Sequence, residues 1–238
     1  MQKMPNNYFK FKKFTIVQDG CAMKVGTDGC LLGGWFDCSE SNNILDIGCG
    51  SGLIAIMAAQ RCNAQVTGVE IDINAAIQAR ENVNNSPWSK RIRIVNSDFL
   101  EYNTETKFDT IVCNPPYFVN SLKCDNTSRT LARHNDSLSS RDFFTKCAEI
   151  STLSAKVSII IPCDIIDEWI STARENGFYA SRITYIKTTP KKAPKRVLIE
   201  YIRREITYTE NTLIFENGRG EYSDEVKDIL RDFYLKIP

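Results

Sequence analysis

Four consecutive residues, Asn114, Pro115, Pro116 and Tyr117, combine two hydrogen-bond acceptors with a rigid turn and an aromatic ring. The side-chain oxygen of Asn114 and the backbone carbonyl of Pro115 can accept both hydrogens of an amino group. An amino group on a ring or an amide is a poor nucleophile, because its lone pair is delocalised, and such acceptors draw the lone pair out of conjugation. The prolines fix the acceptors, and Tyr117 offers a face on which a planar group stacks. These four residues are the predicted catalytic group.

A glycine-rich segment, DIGCGSG at 46–52, joins a short apolar run to an Ala- and Ile-rich helical pattern. Its glycines let the backbone approach a ligand closely, and the N-terminus of the following helix favours a carboxylate or a phosphate. A dinucleotide-binding loop of the form G-x-G-x-x-G would have glycine where this chain has Leu53. The predicted ligand-binding residues of the loop are Asp46, Gly48, Gly50 and Gly52.

Two acidic residues close the next two predicted strands. Glu70 ends the segment 64–72, and Asp98 ends the segment 91–98 with Phe99 directly after it. The carboxyl ends of parallel strands meet at the edge where open α/β sheets bind ligands. Loop and acids together resemble the S-adenosylmethionine (SAM) dependent methyltransferases. The resemblance implies that Glu70 binds the ribose hydroxyls, that Asp98 contacts the adenine amino group, and that Phe99 lies beside the ring.

The segment NPPY at 114–117 resembles the N/D-P-P-Y/F/W motif of methyltransferases that act on amino nitrogens. It follows the fourth predicted strand, 108–114, so the resemblance places Asn114 next to the SAM methyl group. Asparagine with tyrosine points to adenine N6 or glutamine N5, and guanine N2 enzymes on ribosomal RNA have close variants. The motif itself leaves these three acceptors open.

Segments over nearly the whole chain resemble the bacterial tRNA1(Val) (adenine-37 N6)-methyltransferase family. They are FKFKKFTIVQDGCAMKVGTDGCLLGGW at 9–35, NNSPW at 84–88, NPPYF at 114–118, PKRVLIEY at 194–201 and YSDEVKDILRDFYL at 222–235. The resemblance implies SAM as cofactor, S-adenosyl-L-homocysteine as product, and the adenosine 3′ of the anticodon of a valine tRNA as substrate. It also implies that Thr27 and Asp28 contact the methionine end of SAM; the alternative for GTDG is a simple turn.

From residue 43 onward, short β-branched runs alternate with helical patterns. Strands are predicted at 43–49, 64–72, 91–98, 108–114, 156–162, 182–188 and 197–205, and helices at 52–62, 74–85, 141–152, 164–176 and 223–235. This order predicts an α/β, Rossmann-like class I methyltransferase fold. Its seven-stranded, mostly parallel sheet has helices on both faces and an antiparallel hairpin at one edge. We expect one domain over 1–238, with a basic arm at 1–40 closing over the cofactor, a core at 41–205 and an extension at 206–238.

Basic residues cluster in the arm, in the long polar loop 119–142 and before the last predicted strand. The predicted RNA contacts are Lys10, Lys12, Lys13, Arg129, Arg133, Lys191, Lys192, Lys195 and Arg196. An unpaired anticodon loop suits such an enzyme, because the target base must leave its stack to reach the sheet edge. The loop 119–142 is a candidate lid or RNA contact, or a solvated surface loop.

The composition excludes several classes of protein. With 238 residues, a net charge of +1 and 42% hydrophobic residues, the chain is typical of a globular protein without a membrane span or secretory signal. Nine scattered cysteines predict reduced thiols, no metal site and a cytoplasmic location. We expect a monomer that does not bind DNA, since no segment could form a sequence-reading domain. Alternatives are a glutamine N5-methyltransferase, whose usual N-terminal helical domain is missing here, and a SAM-binding regulator, which would not need NPPY.

Overall fold

An eight-stranded sheet forms the centre of the protein. The computed structural model describes residues 7–21, 23–115, 138–218 and 220–237. The strands in chain order are β1 (Tyr8–Lys10), β2 (Thr15–Val17), β3 (Asn43–Ile47), β4 (Gln65–Glu70), β5 (Ile92–Asn96), β6 (Phe108–Cys113), β7 (Ser151–Pro162), β8 (Tyr179–Lys187), β9 (Arg196–Ile202), β10 (Thr209–Ile214), β11 (Glu216–Gly218) and β12 (Glu221–Tyr222). β1 pairs with β2, and β11 with β12, in two small antiparallel hairpins.

The central sheet has the strand order β10-β8-β9-β7-β6-β3-β4-β5. Every strand in it is parallel to its neighbours except β9, which runs antiparallel to both β7 and β8. All the parallel strands therefore end at one edge of the sheet, here named the carboxyl edge, and begin at the opposite, amino edge. The α/β class and the mostly parallel sheet are confirmed.

The predicted number of seven strands is wrong, because β10 adds an eighth. The hairpin of β8 and β9 is confirmed, but it does not form the edge, since β10 covers β8. β10 reads TENTLI, and its first four residues are exposed. A strand with so few buried positions lacks the apolar alternation by which strands are found in a sequence.

In the part of the chain that the structure describes, six α-helices cover the two faces of the sheet. They are α1 (Thr27–Trp35), α2 (Leu53–Arg61), α3 (Ile73–Asn84), α4 (Ser140–Ile150), α5 (Ile166–Glu175) and α6 (Asp224–Leu230). Helices α1, α2, α3 and α6 pack in one hydrophobic cluster, and α4 and α5 pack in the other. Ile44 and Leu45 are adjacent in β3 and belong to different clusters, as expected when successive strand side chains point to opposite faces. Helices on both faces are thus confirmed.

Helix α1 lies in the segment for which the sequence predicted only a basic arm. Its sequence, TDGCLLGGW, contains three glycines, which disfavour a helix. Two of them allow close packing: a Cβ on Gly33 would lie 2.6 Å from Met57 Sδ, and one on Gly34 would lie 2.6 Å from the Ile229 carbonyl oxygen. The packing of α1 against α2 and α6 thus requires these glycines, and the same glycines weaken the sequence signal for a helix.

The arm and the C-terminal tail hold each other in place. The backbone N–H of Lys12 donates to the Phe233 carbonyl at 2.8 Å. The Lys12 ammonium donates to the carbonyls of Arg231 and Ile237 at 2.7 and 2.6 Å. Ser223 caps α6 by accepting from the Val226 N–H, so the tail helix begins where predicted and ends five residues earlier than predicted, at Leu230.

Two further observations concern membranes and thiols. Within the described residues, none of the helices is both long enough and apolar enough to span a bilayer. The eight cysteines in the described part of the chain are all free thiols.

Candidate active site

The predicted site residues follow strands whose ends are aligned. Ile47, the last residue of β3, is the register partner of Val69 in β4 and of Cys113 in β6. Glu70 is the register partner of Asn96, the last residue of β5. The glycine loop after β3, Glu70, Asp98 and Asn114 therefore all lie at the carboxyl edge, as the sequence predicted.

The glycine loop forms an open backbone cradle. Gly48, Gly50 and Gly52 have φ angles of 65°, 53° and 81°, a region that side-chain-bearing residues rarely adopt. A Cβ on Gly48 or Gly50 would meet no heavy atom within 4 Å, whereas one on Gly52 would contact Ala79 at 3.5 Å. Among the described residues, none occupies the space over the first two glycines, so a ligand can contact the backbone there.

Glu70 is held by the loop that it faces. It is mostly buried, its Oε2 accepts from the Gly50 N–H at 2.8 Å, and its Oε1 accepts from the Asp72 N–H at 2.9 Å. Each carboxylate oxygen retains a further lone pair for a hydroxyl donor. Asn96 adds support that the sequence prediction missed, because its Nδ2 donates to the Glu70 carbonyl at 2.8 Å. The sequence signal that could have identified Asn96 is its position as a polar residue near the carboxyl end of a predicted strand.

Asp46 is a buried carboxyl group with one oxygen unpartnered. Its Oδ2 accepts from the Ala55 N–H at 2.9 Å, whereas its Oδ1 has no partner in the described structure. Burial raises the pKa of Asp46 to about 8; the Ala55 hydrogen bond opposes the rise and the Glu70 charge adds to it. A ligand that brings a donor or a positive charge would satisfy Oδ1. The cradle and this orphaned oxygen both fit a cationic, ribose-containing cofactor such as SAM.

Asp98 and Phe99 follow β5 at the same edge but differ in their surroundings. Asp98 is half-buried, and its Oδ1 accepts from the Leu100 N–H at 2.8 Å. Phe99 is buried with its ring centroid 6.0 Å from that of Phe143 in the core. Phe99 therefore packs beneath the edge, and its place beside an adenine ring stays a prediction.

Asn114 and Pro115 directly follow β6. Asn114 is half-buried and Pro115 is buried. The Asn114 amide lies near α1, since a Cβ on Gly29 would be 3.8 Å from Asn114 Nδ2. The predicted residues Pro116, Tyr117, Arg129 and Arg133 lie outside the described residues, as does most of the loop 119–142.

Thr27 and Asp28 form the first turn of α1. Thr27 is exposed, and Asp28 accepts from Arg196 Nε through its Oδ2 at 2.8 Å. The structure thus joins a predicted cofactor residue to a predicted RNA residue. The two lie 168 positions apart in the chain, so no sequence signal could have paired them.

The remaining basic residues fall into two groups. Lys191, Lys192 and Lys195 are exposed in the segment 188–195 between β8 and β9, here named the lysine loop, which lies at the carboxyl edge. Lys10 and Lys13 are exposed in the arm. The Lys12 ammonium, in contrast, is occupied by tail carbonyls.

Comparison with known proteins gives one consistent result. Residues 23–140 match the family model described as the methyltransferase small domain. A tRNA1(Val) (adenine(37)-N6)-methyltransferase of Bacteroides fragilis is 45% identical over 237 residues, covering 98% of this chain and all of the relative. One of Trichodesmium erythraeum, with the same name, is 42% identical over 238 residues, with the same coverage of both chains.

Two solved structures share the fold. A protein of Agrobacterium tumefaciens described as a predicted O-methyltransferase superposes with a TM-score of 0.68 at 21% identity, covering 87% of this chain and 96% of its own. The SAM complex of the glycopeptide N-methyltransferase MtfA superposes with a TM-score of 0.56 at 14% identity, covering 76% of this chain and 90% of its own. At these identities the likeness concerns the fold alone.

Proposed function

Because the chain belongs to the tRNA1(Val) (adenine(37)-N6)-methyltransferase family, we propose that it methylates N6 of adenosine 37 in the anticodon loop of tRNA1(Val), with SAM as methyl donor. The observation that carries the proposal is the placement of Asn114 and Pro115. They stand at the end of β6, beside the glycine loop that follows the adjacent strand β3. The proposed amino-group acceptors and the glycine loop therefore follow neighbouring strands at the same edge of the sheet.

The chain's own residues supply the groups proposed to bind the cofactor. Gly48 and Gly50 present backbone to the ligand, Glu70 offers acceptors to the ribose hydroxyls, and Asp46 offers its unpartnered oxygen to a donor. The other proposed cofactor residues are Thr27, Asp28, Gly52, Asp98, Phe99 and Asn114. When bound, SAM supplies an electrophilic methyl group.

The acceptors do the remaining chemistry. The Asn114 side-chain oxygen and the Pro115 carbonyl accept the two hydrogens of the adenine amino group, which draws its lone pair out of the ring. Tyr117 stacks on the base, a contact typically worth about 1–3 kcal/mol. Once methylated, the nitrogen carries an acidic proton, so no side chain needs to act as a base. The fixed backbone keeps the cost of reorganisation low.

The tRNA is held by charge and by its loop. Lys191, Lys192 and Lys195 lie at the carboxyl edge and can contact phosphates near the splayed base, with Lys10 and Lys13 further along the arm. The predicted contacts Arg129 and Arg133 belong to the same proposal. The enzyme would act as a monomer in the cytoplasm, where its tRNA substrate and its reduced thiols are both found.

The test is methyl transfer from radiolabelled SAM to a tRNA1(Val) transcript, followed by nucleoside analysis. We expect label in N6-methyladenosine, and none on a matched transcript with guanosine at position 37. A protein extract is assayed in parallel, because a glutamine amide presents the same amino geometry to Asn114. Label only in protein glutamine, or in N2-methylguanosine, would refute the substrate, and no label in either would refute catalysis.

A further inference from the structure

The ion pair of Asp28 and Arg196 connects two functional regions of the carboxyl edge. Arg196 Nε donates to Asp28 Oδ2 at 2.8 Å. The Arg196 side chain is 31% exposed and the Asp28 side chain is 34% exposed. Water therefore screens this pair less than it screens ion pairs on the open surface.

On its acidic side the pair fixes the first turn of α1. The next residue, Gly29, would bring a Cβ to 3.3 Å from Leu53 Cδ2 and 3.8 Å from Asn114 Nδ2. Leu53 begins α2 directly after the glycine loop. The first turn of α1 thus lies between Leu53, which follows the glycine loop, and the side-chain amide of Asn114.

That turn has little local support. The N-cap of α1 is Gly26, which makes no side-chain capping hydrogen bond. A helix that begins with glycine lacks the side-chain acceptor that usually satisfies its first N–H groups. The contact from Arg196 therefore supplies an anchor that the cap does not.

Arg196, the basic member of the pair, directly follows the lysine loop. Lys195 donates its N–H to the Ile186 carbonyl at 3.2 Å and accepts from the Cys163 N–H at 3.2 Å, so the backbone next to Arg196 is held by β8 and by the end of β7. Arg196 thus projects from a fixed point of the sheet. The Lys192 N–H, in contrast, donates to the Thr189 carbonyl within the loop itself, at 3.1 Å.

We infer that Arg196 is a positioning residue for methyl transfer: through Asp28 it holds the first turn of α1 against Asn114, and it does not serve as a phosphate contact. The inference rests on the proposed function. It separates Arg196 from Lys191, Lys192 and Lys195, with which its charge and its place in the sequence had grouped it.

The test compares Arg196→Gln, Asp28→Asn and the double variant with Arg174→Gln. Arg174 pairs with Glu205 at 2.9 Å at the amino edge, so its loss controls for losing an ion pair as such. We expect Arg196→Gln to lower the single-turnover rate at saturating SAM and tRNA by roughly 10- to 100-fold, as misplacement of a reacting group does. The double variant should lose no more than the worse single variant. The tRNA dissociation constant and its salt dependence should stay near those of wild type.

If Arg196→Gln had the same single-turnover rate at saturating SAM and tRNA as Arg174→Gln, the inference would be overturned. A reduced salt dependence of tRNA binding for Arg196→Gln would also overturn it. Thermal melting identifies a variant that does not fold; Arg196→Lys then replaces it, with the expectation of an intermediate rate. If the wild-type enzyme does not methylate tRNA1(Val), the proposed function fails, which is a different outcome from a wild-type rate in the variants.

Discussion

The two edges of the sheet differ in the surroundings of several polar groups. At the amino edge some of these groups are paired within the protein: Lys156 bonds to Asp37 at 2.5 Å, and Asp109 accepts from the Asn42 N–H at 2.9 Å. The Lys156 ammonium holds the pKa of Asp37 well below its usual range. These contacts satisfy the groups that they join, whereas Arg182 Nε in β8 is buried without a partner in the described structure.

At the carboxyl edge some groups are left open in the described part of the chain. There, one oxygen of Asp46 is buried and unpartnered, and a Cβ added to Gly48 or Gly50 would have no protein atom within 4 Å of it. An unpartnered buried acceptor costs stability, and a ligand that donates to it would offset that cost. The comparison teaches that the carboxyl edge leaves an open backbone cradle beside such an oxygen, whereas the amino-edge groups named above satisfy one another.

The largest expected effect comes from removing the catalytic amide. Asn114→Ala should lower the single-turnover rate by about 10³-fold, because it deletes one of two fixed acceptors, while SAM binding stays near normal. Calorimetric titration with SAM measures binding, and rapid-quench methylation measures the rate. Asn42→Ala, an exposed asparagine at the amino edge, is the control and should behave as wild type. Intact turnover with weakened SAM binding would remove Asn114 from the acceptor role.

A smaller effect should follow from filling the cradle. Gly50→Ala and Gly177→Ala both place a side chain at positive φ, 53° and 75°, with no heavy atom within 4 Å of the new Cβ. Each should lower the free energy of unfolding by about 1–2 kcal/mol, because the left-handed region strains any side chain. Gly177 follows α5 at the amino edge.

Only Gly50→Ala should also weaken SAM binding, by about tenfold or more, which corresponds to at least about 1.4 kcal/mol. Chemical denaturation measures stability, and titration measures affinity. Equal SAM affinity in the two variants would mean that the cofactor does not lie over Gly50, and the comparison of the edges would lose its main support.

Local signals in the sequence were enough for the core of the fold and for placing most of the candidate site residues at one edge. β3, β4, β5 and β6 are apolar runs of strand length, and each ends in or is followed by a glycine or polar residue of the candidate site. Because parallel strands share a carboxyl edge, their order in the chain already places these residues together. The prediction therefore needed no knowledge of distant contacts.

What the sequence could not predict depends on contacts between distant segments. The glycines of α1 leave space for Met57 and Ile229, and they weaken the sequence signal for that helix. β10 is too exposed to show the alternation of apolar and polar residues that predicts a strand. The pairing of Asp28 with Arg196 spans 168 positions and has no local pattern. In each case tertiary packing overrides the local propensity.

The smallest expected effect concerns the lysine loop. Reversing Lys191 and Lys192 to glutamate should weaken tRNA binding about tenfold near physiological salt and lower the salt dependence by about two counterions, since each lysine faces roughly one phosphate. The same reversal at Lys90 and Arg93, which are exposed at the amino edge, should change both quantities much less. Binding is measured by fluorescence titration at several salt concentrations. If both pairs of reversals weakened binding equally, the attraction would come from net charge alone, and the tRNA would have no preference for the carboxyl edge.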